Sequence, residues 1–317
     1  MTLQLFDPAL LAYVDEQREY NRQIMEATAA MASIDKSTIE GIRWIREAMA
    51  PGGLFGLQAY DFPETREVAG VPVRVLTPDR VRGVYLHFHG GAMTVGSAAS
   101  MDPRNWGFAQ ALDVAVLSVD YRLAPEHPYP GGPDDCEAVA LWLLEHAVAE
   151  FGTDRLLMGG ESAGAYFTLL TMLRLRDRLG ARPPYLAMDL CYGGYDMSAT
   201  PSTQQMVGKV PYATGDGNRV HYLPGRSLEA LRDPAVSPMW AELHDLPPAI
   251  VTVGTADWLI DDNLFIANRM ALAGNELELA VYPEGCHGIE SAPTTMGKIA
   301  QERIHSFLRA RLDGPVA

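Results

Sequence analysis

Positive charge is scarce in this chain of 317 residues: 25 lysines and arginines stand against 40 aspartates and glutamates, a formal net charge of −15. That balance argues against a nucleic-acid partner, whose phosphates need Lys and Arg. It also argues against an anionic membrane surface, and the excess acid reads as a solubility feature. Cysteine is scarcer still. Cys136, Cys191 and Cys286 show no paired spacing, so a disulfide framework is excluded and a reducing, cytoplasmic setting is expected. Apolar runs of the roughly 20 residues that span a membrane are lacking. The segment Met1–Pro8 has neither the basic nor the apolar stretch of a secretion leader. Internal repeats and low-complexity tracts are missing too. What remains is a chain with an ordinary 48% of hydrophobic residues, long enough to bury one large core.

Short apolar runs alternate with helical ones. Strands are expected at 71–76, 84–88, 114–119, 155–158, 185–190, 249–253 and 276–282, with helices at 133–150, 163–179, 263–272 and 295–312. Such alternation implies a mostly parallel sheet with helices on both faces, an α/β fold. Before it, 8–32 reads as helical. Ser37-Thr38-Ile39-Glu40 reads as a capping box opening a second helix with Ile42, Ile45 and Met49 along it, stopped by Pro51-Gly52-Gly53. These early helices read as part of a cap, or else as helices packed outside the sheet.

Gly160-Glu161-Ser162-Ala163-Gly164 lies between an apolar run and a helical run. G-x-S-x-G in a strand–turn–helix setting forms a nucleophile elbow. Glycines on either side relieve collisions around a serine on so sharp a turn. The Ala163 N–H then sits at a helix N-terminus, where an oxyanion is stabilised. Upstream, His89-Gly90-Gly91-Ala92 follows the 84–88 strand, and Gly90 and Gly91 are the expected partner donors of an oxyanion hole. Downstream come Asp257, at the end of the 249–253 strand, and His287, in a glycine-bounded loop past 276–282. Catalytic groups gather at that edge of an open sheet. The order Ser, acid, His assigns Ser162 as nucleophile, His287 as base and Asp257 as the acid that orients it. Asp261 and Asp262 are rivals to Asp257. Cys286 lies in no elbow and reads as packing. Arg122 reads as a scaffolding ion pair with Glu126, Asp134 or Asp135.

Taken together, His89-Gly90-Gly91-Ala92, Tyr121-Arg122-Leu123-Ala124-Pro125-Glu126, Gly160-Glu161-Ser162-Ala163-Gly164, Asp257 and His287-Gly288 resemble the bacterial hormone-sensitive-lipase family of esterases over roughly residues 70 to 310. The resemblance implies an α/β-hydrolase fold with a helical cap, carboxylesterase activity through a Ser162, Asp257, His287 triad, oxyanion donors at Gly90, Gly91 and Ala163, and neither metal nor other cofactor. The chain departs from the family pattern at Glu161, where Asp is usual, and at Ala92, where a third glycine is. It departs again at Met93, where an aromatic is frequent, and at Trp258, where proline usually follows the acid.

The expected organisation is 1–52 as N-terminal cap helices, 53–195 and 233–317 as the two parts of the α/β-hydrolase core, and 196–232 as a second cap segment. The stretch 193–246 is too long and irregular for an ordinary connection. Met93, Glu161, Tyr192, Tyr195, Met206, Tyr212 and Trp258 are the expected pocket residues, with Tyr222 and Leu223 as further cap candidates. Three functions fit: a serine carboxylesterase on small, uncharged, short-acyl esters; an amidase, formamidase or lactonase with the same triad; or a non-catalytic receptor on this fold. The expected partner is a small-molecule ester, with a homodimer as the candidate assembly.

Overall fold

The computed structural model describes residues 4–29, 34–54, 57–206 and 217–314. In chain order its elements are α1 (Val14–Ala27), α2 (Ile39–Met49), β1 (Glu64–Val68), β2 (Val71–Leu76), β3 (Gly83–Phe88), α3 (Asp102–Leu112), β4 (Val114–Val119), α4 (Gly131–Phe151), β5 (Leu156–Glu161), α5 (Ala163–Leu179), β6 (Ala187–Cys191), α6 (Pro201–Met206), α7 (Gly217–Tyr222), α8 (Leu228–Leu231), β7 (Ala249–Gly254), α9 (Ile260–Leu272), β8 (Leu277–Tyr282) and α10 (Thr295–Asp313). The strands form one sheet in the order β1-β2-β4-β3-β5-β6-β7-β8. The pairings of β1 with β2 and of β2 with β4 are antiparallel, and the rest are parallel. β3 to β7 are buried at every residue, as parallel strands covered on both faces must be. The sheet is the one the alternation predicts.

Period-two side-chain alternation divides the core into two layers. Val84, Leu86, Phe88, Met158 and Val251 face α4, α5 and α9 through Val139, Leu143, Leu169, Leu173 and Ile266. Tyr85, Leu157 and Ile250 face the other way, against Phe108 and Leu112 of α3 and Ile304 and Leu308 of α10, where Leu10 and Val14 join them. No helix among the described residues is long and apolar enough to cross a membrane.

Within the sheet and the helices that cover it, β1 and α3 escape the sequence reading, as do the short helices α6, α7 and α8 in the stretch read as irregular. β1 is an edge strand with three charges in five residues and little burial, so it shows no alternation. α3 turns Asp102 and Asn105 inward beside Phe108, Ala109 and Leu112, so polar residues interrupt the apolar stripe of its buried side. Its Asp102-Pro103 start was the available signal. The cap of α2 also shifts by one residue. Thr38, not Ser37, is the N-cap, its Oγ1 accepting the Gly41 N–H at 3.1 Å, while the Ser37 hydroxyl donates to Asp35 at 2.6 Å.

Arg122 pairs with Asp135 (Nη2 to Oδ1, 2.7 Å). Glu126 is instead held by Arg46 of α2 at 2.7 Å, and the same guanidinium donates to the Thr94 and Ala124 carbonyls at 2.8 Å each. α1 reaches across to the far end of the chain. Arg18 bonds the Glu284 carboxylate at 3.0 Å and Asn21 the Glu284 carbonyl at 2.8 Å. Gln17 accepts from Thr294 at 2.8 Å.

Candidate active site

The register sets Phe88 opposite Gly160, Glu161 opposite Cys191, Cys191 opposite Thr252 and Gly254 opposite Tyr282. The C-terminal ends of β3, β5, β6, β7 and β8 therefore lie abreast, and the loops after them share one edge of the sheet.

Ser162 stands alone between β5 and α5 with φ 57° and ψ −114°, a strained backbone for a residue with a side chain. Its N–H donates to the Cys191 carbonyl at 2.9 Å, and its carbonyl starts α5 by accepting the Tyr166 N–H at 3.2 Å. The flanking glycines permit this. A Cβ on Gly164 would lie 2.7 Å from the Phe88 carbonyl carbon, and one on Gly160 would lie 2.8 Å from the Gly164 carbonyl carbon.

The Ser162 Oγ is 2.9 Å from His287 Nε2, and His287 Nδ1 is 2.9 Å from Asp257 Oδ2. Asp257 is buried, and its other oxygen accepts the Leu259 N–H at 2.9 Å. The imidazole packs between Trp258, stacked at 4.2 Å and 26°, and Tyr192, edge-on at 4.7 Å and 61°. The rival acids are engaged elsewhere. Asp261 accepts the Ser202 N–H at 2.8 Å. Asp262 accepts from the Tyr195 and Asp196 N–H groups and the Thr200 hydroxyl, at 2.7, 2.9 and 2.6 Å. Burial pushes the Asp262 carboxyl up to about 7, against those bonds. Burial likewise pushes the Cys286 thiol up to about 11, so it is protonated and a poor nucleophile at neutral pH.

Gly90 is a correction. Its N–H donates to Glu161 Oε1 at 2.8 Å, so it cannot serve an oxyanion. The N–H groups of Gly91, Ala92 and Ala163 have no acceptor among the described residues. The loop coils through positive φ at Gly91 (129°), Ala92 (49°) and Met93 (62°) and is closed by the Thr94 and Val95 N–H groups on the Gly91 carbonyl, 3.0 Å each. Which of two adjacent glycines points its amide inward depends on an acceptor 71 residues away, beyond any local pattern.

The pocket residues divide. Tyr192 and Trp258 flank the imidazole, and Met93 sits in the Gly91–Val95 coil. Tyr195 is fully buried in the core beneath, as are Tyr222 and Leu223. Asp262 accepts the Tyr195 N–H at 2.7 Å, and Tyr222 meets the Tyr166 hydroxyl at 3.3 Å. The Met206 side chain and all of Tyr212 lie outside the described residues. Glu161 is a correction as well, for its carboxylate is buried and faces α3, away from any pocket.

Glu161 belongs to a polar layer that the sequence reading missed. Its Oε2 is 3.0 Å from His87 Nε2, and His87 Nδ1 meets Ser118 Oγ at 2.8 Å and Asn105 Nδ2 at 3.1 Å. Arg104 of α3, with a side chain 7% exposed, lies 3.8 Å from Glu161, 3.4 Å from Asp189 and 3.5 Å from Glu290. Burial disfavours the Arg104 cation, and the surrounding carboxylates more than offset this, so its pKa is raised. Burial pushes Asp189 up to about 6 despite the pull of Arg104. Tyr192 donates to Glu290 at 2.7 Å, which links the layer to the imidazole's neighbour. The signal was present on the strands: Tyr85, His87, Gly159, Glu161 and Asp189 share one sheet face.

A profile of the alpha/beta hydrolase fold family matches residues 85–291. A carboxylesterase of Mycobacterium tuberculosis, NlhH, is 34% identical over 228 residues, 69% of this chain and 70% of the relative. An ethyl acetate hydrolase of Pseudomonas putida is 30% identical over 247 residues, 75% of this chain and 76% of the relative. A solved esterase of the bacterial hormone-sensitive lipase family superposes with a TM-score of 0.78 at 29% identity, covering 93% of this chain and 98% of that one.

Proposed function

The chain belongs to the α/β-hydrolase family, in its bacterial hormone-sensitive-lipase-like branch of carboxylic ester hydrolases, and from that premise we propose that it cleaves small, uncharged, short-acyl esters through an acyl-enzyme on Ser162. The observation that carries this reading is the unbroken chain of 2.9 Å contacts from Ser162 through His287 to Asp257.

In this mechanism His287 Nε2 takes the hydroxyl proton as Ser162 Oγ bonds to the ester carbonyl carbon. Asp257 holds the Nδ1–H and stabilises the imidazolium. The carbonyl oxygen becomes an oxyanion facing the N–H groups of Gly91, Ala92 and Ala163, the last at the N-terminus of α5. The tetrahedral intermediate collapses, the C–O bond breaks, and the alcohol leaves with the proton from His287. Water, deprotonated by the same imidazole, then attacks the acyl-enzyme and releases the acid.

The segments 1–52 and 196–232 are the cap in this reading. Support comes from bonds that tie both to the loops of the acid and the base: Ser202 donates to the Trp258 carbonyl at 2.8 Å, and Asn21 to the Glu284 carbonyl. The Pseudomonas relative's name, an ethyl acetate hydrolase, supports a short acyl group, and three free cysteines support a reducing compartment.

The test is a fluorophosphonate label followed by mass mapping, with p-nitrophenyl acetate, butyrate and palmitate as substrates. The label is expected on Ser162, and Ser162→Ala is expected to remove turnover while the melting temperature holds. Label elsewhere, or wild-type turnover in the variant, would refute the mechanism. Preference for palmitate would refute the short-acyl assignment.

A further inference from the structure

Given Ser162 as nucleophile and the 91–92 amides as oxyanion donors, a reading on which this inference rests, we propose that Glu161 is a positioning residue: its carboxylate holds the oxyanion loop against the elbow, and Arg104 holds the carboxylate in place.

The connection is short on both sides. Glu161 shares a peptide bond with Ser162, and Gly90 shares one with Gly91. The hydrogen bond from the Gly90 N–H to Glu161 Oε1, 2.8 Å long, therefore sets the distance between nucleophile and oxyanion donors from one residue away at each end. The loop also rests directly on the elbow, since a Cβ on Gly90 would be 3.0 Å from the Glu161 carbonyl oxygen and 3.5 Å from Ser162 Cβ.

The other carboxylate oxygen is equally occupied. Asn105 Nδ2 can only donate, so His87 Nδ1 accepts and Nε2 carries the ring proton toward Glu161 Oε2. Burial lowers the His87 pKa from 6.5 despite Glu161, which suits a neutral ring in this role. Burial disfavours the Glu161 anion, but the charge of Arg104 and the bonds from His87 and Gly90 outweigh it and hold the carboxyl below its usual range.

Two N–H groups converging on two oxygens require a carboxylate. A glutamine at 161 presents one oxygen and one NH2, so one converging donor is left facing a donor. An aspartate keeps the charge and is one methylene too short to bridge to Gly90 while meeting His87. Arg104 extends the same frame. Its charge lies 3.8 Å from Glu161 beside the nucleophile and 3.5 Å from Glu290 three residues past the base, so both halves of the centre face one buried cation.

The oxyanion donors act on the transition state more than on bound ester. Displacing the loop is therefore expected to lower kcat with little change in KM. Removing a single oxyanion donor costs about 10²–10³ in rate, and a loop merely unmoored is expected to cost roughly 30-fold, on the scale of a sub-ångström misplacement.

The experiment compares Glu161→Ala, Glu161→Asp and Glu161→Gln with wild type. It reads kcat and KM for p-nitrophenyl butyrate, Ki for a trifluoromethyl ketone, Ki for the unreactive alcohol analogue of that ketone, and the melting temperature. Expected are a roughly 30-fold fall in kcat for Ala, KM within threefold, a trifluoromethyl ketone Ki that rises in step with the loss of kcat/KM, and an alcohol Ki that stays put, with Gln retaining more activity than Ala. Wild-type kcat and ketone affinity in the variants would overturn the proposal. A loss that falls equally on KM, both inhibitors and melting temperature would overturn it too, in favour of a purely structural role. If the Ala variant does not fold, Asp and Gln carry the same comparison. Failure of the underlying reading is separate: it shows as an unlabelled Ser162 in wild type, whatever residue 161 does.

Discussion

Gly164→Ala is the smallest substitution that should disable this centre, since it adds one methyl group. The added Cβ would lie 2.7 Å from the Phe88 carbonyl carbon and closer still to its oxygen, whereas carbon pairs rest at about 3.5–4.0 Å. Neither partner is a flexible side chain. Phe88 ends β3, fully buried, and Gly164 lies in the first turn of α5. The two backbones must part by about 1 Å, twice the tolerance of roughly 0.5 Å for a catalytic constellation. The segment that moves leads straight into His89–Ala92, so the strain falls on the oxyanion loop. Overpacking of this kind costs about 1–3 kcal/mol of stability, and a 1 Å misplacement at a reacting centre costs about 10²-fold in rate. The assay is kcat/KM on p-nitrophenyl butyrate beside thermal unfolding. The expected result is a loss of roughly 10²-fold or more with a melting temperature lower by a few degrees. A variant within threefold of wild type and equally stable would refute the argument that close backbone approach defines the elbow.

Trp258→Leu removes the ring that faces His287 at 4.2 Å. An indole over a forming imidazolium at a partly desolvated site is worth about 1–2 kcal/mol, so kcat should fall roughly 5- to 30-fold, with Trp258→Phe retaining most of it; unchanged kcat in the leucine variant would count against the stacking. Asp262 has a folded pKa of about 7 against about 3.9 unfolded, so its contribution to stability is full below about 4 and is lost as pH rises through about 7. Asp262→Asn should therefore flatten the fall in melting temperature between pH 5 and 8, and parallel curves for variant and wild type would contradict this.

Residues whose role follows from local chain geometry were legible before any coordinates. The elbow announces itself through Gly160 and Gly164, and Asp257 and His287 stand out as the acid and the histidine that follow late strands. The legible strands were buried and apolar, while the charged edge strand β1 and the polar-sided α3 were not. What could not be read depends on pairing across the sheet. The occupied Gly90 amide needs Glu161 beside it, and the inward turn of Tyr195 needs Asp262, 67 residues on. The polar layer required the strand order, because only when β4, β3, β5 and β6 are adjacent do Ser118, His87, Glu161 and Asp189 form one surface.

The latch between α1 and the loop of the base has a temporal consequence. Its bonds join residues 263 to 277 positions apart, among the longest closures this polypeptide can make, and long closures come late in folding. A nascent chain can build β5, the strained serine and α5 while still being synthesised. The imidazole's loop gains its clasp only when α1 meets residues more than 260 positions later, so that loop is expected to settle after the elbow.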